Sequence, residues 1–244
     1  MFRGCTSLST VPEDYLPATT LNTSCYNSMF AGCTSLRNAP ALPATILANS
    51  CYNTMFLNCT SLSSVPEDYL PATTMAVNCY NNMFAGCDKL SAIPQLPATE
   101  LAYACYQNMF GGCQSLSTAP ALPATKLASQ CYKQMLRYTK IQSATLPAKL
   151  LVSNCYNEMF NGCTNLSSVT VGFTNWDEAE DCTTNWLQSA PATGNFYCPT
   201  SLDTTTRSTS TVPSGWTIVN GTPTRNLAKG GVSIEDEEEE EEVI

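Results

Sequence analysis

The sequence predicts an α/β solenoid of about seven strand–turn–helix repeats, each of 24–28 residues, closed by a divergent C-terminal cap. Three observations carry this expectation. A Met-Phe pair recurs at Met1-Phe2, Met29-Phe30, Met55-Phe56, Met83-Phe84, Met109-Phe110 and Met159-Phe160, with Met135-Leu136 in the remaining slot, so the copies start 28, 26, 28, 26, 26 and 24 residues apart. Between those pairs each copy reads M-F-x-G-C-x-S-L-x-x-x-P-x-L-P-A-T-x-L-x-x-x-C-Y-x-x, the self-similarity of units that bury their apolar faces only on one another. The pattern fades after Leu166, where Trp176, Trp186, Phe196, Tyr197 and Trp216 appear instead, as expected of a segment closing the open end of a stack.

Within a copy, the elements follow from local chemistry. In P-A-T-x-L, Thr19 is a suitable N-cap, and the proline two residues earlier prevents an earlier helix start. Leu21, Cys25 and Met29 then fall at i, i+4 and i+8, with Tyr26 and Phe30 alongside, an apolar stripe of helical width. The stop is Gly32, Gly86, Gly112 or Gly162, with Asn58 as substitute, the residues suited to a left-handed C′ position. The C-T-S-L-S-T-V stretch alternates polar and apolar residues and reads as a short strand ended by proline. Leu8, Leu36, Leu62, Leu90, Leu116, Ile141 and Leu166 should form one buried row. The organisation is thus a repeat solenoid over 1–170, a cap over 171–219, and a linker with an acidic tail over 220–244. The chain begins inside a repeat, with no signal peptide ahead of it, and reads as a fragment of a longer chain.

Composition narrows the chemistry. The 244 residues include no His, which removes His-ligated metals, Ser-His-Asp and Cys-His nucleophiles and a His general base. The net charge of −9 describes a tail: eight of the 20 acidic residues lie in 235–242, and the rest nearly balance the 11 basic ones. A near-neutral body lacks the basic footprint of a nucleic-acid binder. No apolar run approaches the roughly 20 residues that span a bilayer.

MFAGCTSL at 29–36, MFAGC at 83–87 and MFNGCTNL at 159–166 resemble the BspA-like branch of the leucine-rich repeats, common in surface proteins of gut bacteria and in proteins of their phages. The likeness covers about 1–170, with a longer unit and a Pro-rich L-P-A-T insert. It implies a non-enzymatic recognition or adhesion module with a protein or carbohydrate receptor, on a bacterial cell surface or as a phage host-binding component. The alternative is a passive structural or assembly protein of a virion. An extracellular, cell-surface or virion location follows, with no cofactor.

Twelve of the 14 cysteines obey the repeat: five pairs eight apart, such as Cys25/Cys33, plus Cys5 and Cys131 without partners. Zinc is disfavoured because C-x2-C spacing is absent. Helical spacing would hold a pair about 12 Å apart, beyond the reach of a disulfide. Buried, unpaired ladders are the expectation for at least eight of them, against inter-repeat disulfides. Reduced thiols fit a protein assembled in a cytosol, such as a virion component. Cys182 and Cys198 lie outside the repeat and could pair with each other. The column Tyr26, Tyr52, Tyr80, Tyr106, Tyr132 and Tyr156 is either a sugar platform or, more in keeping with its place beside the core stripe, a stack at the core boundary. Glu13-Asp14-Tyr15 and Glu67-Asp68-Tyr69 read as solvated turn residues, with too few oxygens for calcium.

Two surfaces are candidates for binding. Lys126, Lys133, Arg137, Lys140 and Lys149 crowd into one irregular copy that has Tyr138-Thr139 in place of Gly-Cys. They form either a basic belt for an acidic glycan, a partner or the chain's own tail, or solvated charges on a drifted repeat. Ser9, Arg37, Ser63, Ser91, Ser117, Gln142 and Ser167 follow the conserved Leu and would pave a flat concave face with hydroxyls. Such a face suits an extended partner held by many weak contacts, and equally a solubilising surface. No constellation of acid, base and nucleophile is present, so no enzyme is expected.

Overall fold

In the computed structural model, which describes residues 2–221, the copies stack as parallel rungs of one continuous solenoid around one core. Leu36, Leu62, Leu90, Leu116, Ile141 and Leu166 are all fully buried in a single row, and Leu8 is half-buried at the N-terminal end. Two aromatic columns run alongside. Phe2, Phe30, Phe56, Phe84 and Phe110 stack at 5.5–5.8 Å. The tyrosines from Tyr26 to Tyr156 stack at 5.8–6.0 Å, and all but Tyr26 are buried in the core rather than set at its boundary.

The expected helices are not formed, so the α/β strand–turn–helix unit is corrected. Among the described residues the one helical element is a 3-10 turn, Glu13–Tyr15. Where a helix was expected, each rung carries a run of overlapping β-turns. In the rung containing Met29, the N–H groups of Cys25, Asn27, Met29, Ala31 and Cys33 each donate to the carbonyl three residues back. The alternate N–H groups of Ser24, Tyr26, Ser28, Phe30 and Gly32 donate instead to Asn49, Cys51, Asn53, Met55 and Leu57 of the next rung. Every second amide thus ties one rung to the next, something an α-helix, with its amides bonded internally, cannot do.

The cause lies in every fourth residue. Ser24, Ser28 and Gly32 have φ of 56°, 56° and 75°, and the same slots recur as Asn78, Asn82 and Gly86. A left-handed residue at each fourth position breaks a right-handed helix, and Asn, Ser and Gly bear that conformation at the least cost. No helix starts at Thr19; its carbonyl accepts the Ile46 amide at 3.5 Å, beside a bridge between Thr20 and Ile46.

On the opposite side, the expected strands form only toward the C-terminus. β1 (Ser143–Leu146), β2 (Ser168–Val171), β3 (Gly194–Cys198) and β4 (Trp216–Asn220) make one parallel sheet in chain order, with Ser143 opposite Ser168, Ser168 opposite Asn195 and Asn195 opposite Thr217. Earlier rungs have only isolated bridges such as Ser64 with Ala92. Proline explains the difference: Pro12, Pro40, Pro66, Pro94 and Pro120 occupy the position that Thr145 and Thr170 hold in β1 and β2, and proline has no N–H to donate to a ladder.

The turn ladder also runs on past Leu166. The amides of Asn154, Tyr156, Glu158, Phe160 and Gly162 donate to Glu180, Cys182, Thr184, Trp186 and Gln188. Cys182, read from sequence as outside the repeat, therefore takes the place of Cys155 one rung on, and Trp186 that of Met159. Trp186 is fully buried, and its indole N–H donates to Thr211 at 2.8 Å. The linker and acidic tail read over 220–244 lie, beyond Gly221, outside the described residues.

Candidate functional site

All 14 cysteines are unpaired, and all but Cys5 and Cys25 are buried. In one ladder thiols donate to the Phe carbonyl of the preceding rung, Cys59 to Phe30 at 3.2 Å, Cys87 to Phe56 at 3.1 Å and Cys113 to Phe84 at 3.2 Å, and Cys163 donates to Leu136, which holds the Phe slot, at 3.0 Å. Each of those Phe carbonyls already takes an amide from its own rung, so the thiol fills its second lone pair. Thr139 replaces Cys in the irregular copy, and its hydroxyl donates to the Leu136 carbonyl at 2.7 Å. What the position needs is a small buried donor. Cys182 and Cys198 do not pair with each other; Cys182 donates to the Trp176 carbonyl at 3.0 Å. Burial pushes the Cys51 thiol up to about 11 and those of Cys59, Cys113 and Cys155 up to about 12. Such thiols are inert rather than nucleophilic. No group of three or more Cys, Asp or Glu converges on a metal position among the described residues.

The five cations of the irregular copy are spread around the rung. Lys133 and Arg137 sit on the turn side, where Arg137 Nε donates to Asn108 at 3.1 Å and its guanidinium lies 5.7 Å from the Tyr138 ring. Lys140 donates to Thr164 at 3.1 Å. Lys126 belongs to the proline side and pairs with Glu100 at 2.5 Å, both side chains being about two-thirds exposed (71% and 66%). A pair so exposed contributes about 0–1 kcal/mol. Lys149 is exposed on the following rung.

The polar row is more orderly. Ser9, Arg37, Ser63, Ser91, Ser117, Gln142 and Ser167 are all exposed, one per rung, immediately after the buried Leu or Ile. Backbone bonds from Arg37 to Ser9, Ser91 to Ser63 and Ser167 to Gln142, at 2.8–3.0 Å, hold parts of the row in register.

The row has no backbone bond from Arg37 to Ser63, from Ser91 to Ser117 or from Ser117 to Gln142, and the first of these gaps opens into a groove that the residues alone did not reveal. No backbone hydrogen bond crosses from 34–47 to 60–75 on this side, among the described residues, whereas the turn side of the same two rungs is fully bonded. A groove of about 690 Å³ opens there. Its floor is the short A-P-A-L-P segment at 39–43, and its walls are the two longer inserts, which contribute Glu13 on one side and Asp68 and Tyr69 on the other. The first wall is tied to the floor by the Ala41 amide on the Glu13 carbonyl at 2.8 Å. The second is tied by the Tyr69 hydroxyl, which donates to the Pro40 carbonyl at 2.8 Å. Tyr69 is thus a buried anchor (5% exposed) and not the solvated turn residue its motif suggested, while Tyr15 remains exposed (42%). The available signal was the alternation of 28- and 26-residue spacings: a short copy between two long ones leaves a cleft.

A stack of rungs with buried, unpaired thiols, buried aromatic columns and one polar face defines a repeat scaffold. The family model for the BspA type Leucine rich repeat region matches in six copies over residues 1–108 and 78–175, so the chain belongs to that family. Its members are typically surface-associated repeat proteins of protein–protein interaction and adhesion, generally non-enzymatic binding scaffolds. No curated protein matches the chain. Among solved structures, the crystal structure of a leucine-rich repeat protein from Bacteroides ovatus ATCC 8483 matches at 13% identity and a TM-score of 0.31, covering 90% of this chain and 76% of that one. That superposition is too loose to add to the fold. No helix among the described residues is long and apolar enough to cross a membrane.

Proposed function

We propose that the chain is a recognition module that binds a protein partner across its strand-side face, on a bacterial surface or as a phage host-binding component. The observation that carries this reading is the exposed row from Ser9 to Ser167, one small polar side chain per rung on a backbone that the turn ladder keeps rigid. Many weak contacts at fixed spacing suit a polypeptide surface. A protein is favoured over a carbohydrate because the tyrosine column, on which sugar rings would stack, is occupied by its own rings inside the core. The basic side chains Lys133, Arg137 and Lys140 on the turn side would form a secondary contact for an acidic partner, and Lys126 and Lys149 would add to it only from the other side of the rung.

The test is an array of purified extracellular proteins and an array of glycans, both probed with the labelled full chain and with S91R/S117R/Q142R. Saturable binding to a protein that falls about tenfold or more in the variant, with an unchanged unfolding midpoint, supports the reading. Glycan binding indifferent to the variant would remove it.

A further inference from the structure

The groove between the two long inserts has three properties that specify an occupant. First, it lies along a rung, between two backbone segments, 37–43 and 64–71, that do not pair with each other. Arg37 and Ala41 send their amides to the first insert, so the intervening Asn38 and Leu42 amides, which have no backbone partner, face the gap, and the Ser64 and Asp68 amides across it have no backbone partner either. Second, its lining is apolar along the floor, from Ala39, Ala41, Leu42 and Pro43 to Val65 and Pro66. Third, its charge is divided end to end. Glu13 sits where Ala41 bonds to the first wall, with Asp68 on the facing wall, whereas Arg37 stands four residues back along the floor, about 13 Å at the rise of an extended chain. None of these three side chains has an ion-pair partner among the described residues.

We propose that this groove is a docking site for one extended polypeptide segment of the partner, with a Lys or Arg placed between Glu13 and Asp68 and an acidic residue about four positions away at Arg37. The inference rests on the recognition reading above and deepens it by naming a subsite. The segment lies along the rung, its backbone meets the open edges of the 37–43 segment and of the second wall, and its small apolar side chains rest on the floor. Four residues of extended chain match the separation of the two charged ends, whereas four residues of α-helix would span only about 6 Å. A short copy between two long ones opens the cleft here, whereas the rung after the second insert bonds back to it through Gln95, by amide to the Glu67 carbonyl at 2.8 Å and by side chain to the Glu67 carboxylate at 2.5 Å.

The experiment uses the full chain and two blocked pentapeptides, Lys-Pro-Val-Ala-Asp and its neutral counterpart Gln-Pro-Val-Ala-Asn, with binding read by fluorescence anisotropy. The charged peptide should bind about tenfold more tightly than the neutral one, weaken with added salt, and lose that advantage in E13Q/D68N. Ala41→Trp should fill the floor and abolish binding of both while leaving the unfolding midpoint unchanged. Equal binding of the two peptides, no binding of either at millimolar concentration, or binding that survives the Trp variant overturns the groove. If a protein partner on the array is still lost in S91R/S117R/Q142R, that failure concerns the groove alone. A peptide that discriminates beside a silent protein array would leave the groove standing and overturn the broader face.

Discussion

The two long sides of this solenoid are built from the same rungs and obey different rules. On the turn side, every described rung from Ser24 to Gly162 sends amides at alternate positions to the next, without a gap. On the strand side, pairing amounts to isolated bridges near the N-terminus, is missing between 34–47 and 60–75, and becomes a true sheet only from Ser143 onward. Their sequences differ in the same sense. The turn side repeats Cys, Tyr, Met and Phe with little change, and the strand side varies in length, proline content and charge. The lesson is a division of labour: the turn side with its aromatic and thiol columns holds the stack together, which leaves the strand side free to vary.

The largest test of that division is alkaline. The buried thiols belong almost entirely to the turn ladder and its junction, with Cys198 alone in the sheet. Free thiols ionise near pH ~8.5 in an unfolded chain, while burial holds Cys51 up to about 11 and Cys59, Cys113 and Cys155 up to about 12. Below the unfolded value both states keep their protons, and the stabilisation is fully present. Above it the unfolded chain has released protons that the folded one retains, so stability falls with each step of pH until the folded values are passed. The thermal midpoint of the reduced protein should therefore be flat to about pH 8 and drop steeply from pH ~9 upward. In native thiol labelling at neutral pH, Cys5 and Cys25 should react first and the buried thiols only on unfolding. A midpoint constant from pH 8 to 11 would mean that the ladders are not packed as described.

A matched pair of substitutions compares the sides directly. Asn82 has φ 53° in the turn ladder, and its carboxamide oxygen accepts from Asn108 at 2.6 Å. Val there is β-branched in a left-handed slot and loses the hydrogen bond, so Asn82→Val should cost about 1–3 kcal/mol in denaturant unfolding. Ser64 is exposed on the strand side, bridged to Ala92, where a β-branched residue suits the backbone. Ser64→Val should change stability by no more than about 0.5 kcal/mol. Equal costs at the two positions would break the distinction between the faces.

These left-handed slots also explain what could be read from the sequence and what could not. The repeat, the buried leucine row and the unpaired thiols were legible because burial recurs at fixed positions whatever the backbone does. The helix was a misreading with a physical cause: pairs of overlapping turns bring i, i+4 and i+8 to one side, as a helix roughly does, so Leu21, Cys25 and Met29 fit both. The distinguishing signal was present in the residues just before Cys and Met. Ser24 and Ser28, and Asn78 and Asn82, are middling to poor helix formers in mid-segment, and Asn above all is suited to positive φ, whereas Gln130 and Gln134 in the same slots are good helix formers and give no such signal. The cap hid its repeat because its backbone kept the register after its side chains had changed, Trp186 standing where Met159 stands one rung earlier. The groove left its mark only as a difference of two residues between neighbouring copies.

The smallest expected effect concerns the weakest point of the stronger side. Tyr138 holds φ 56° in the slot that Gly32, Gly86, Gly112 and Gly162 fill, a conformation that costs a bulky residue about 1–2 kcal/mol. Its ring also covers the next rung, where a Cβ added to Gly162 would lie 2.2 Å from the ring carbon Cδ1. Restoring glycine relieves the left-handed strain but gives up the half-exposed ring, its contact with Arg137 and some order in the unfolded chain, so Tyr138→Gly should raise stability by only about 0.5 kcal/mol. A double-mutant cycle separates strain from contact. Gly162→Ala in the natural chain meets both a left-handed φ of 76° and the Tyr138 ring, and in the Tyr138→Gly background it meets the backbone cost alone. The two positions should therefore couple by about 1 kcal/mol. Zero coupling would show that the ring swings clear without cost, and would leave the drifted copy as firmly stacked as its neighbours.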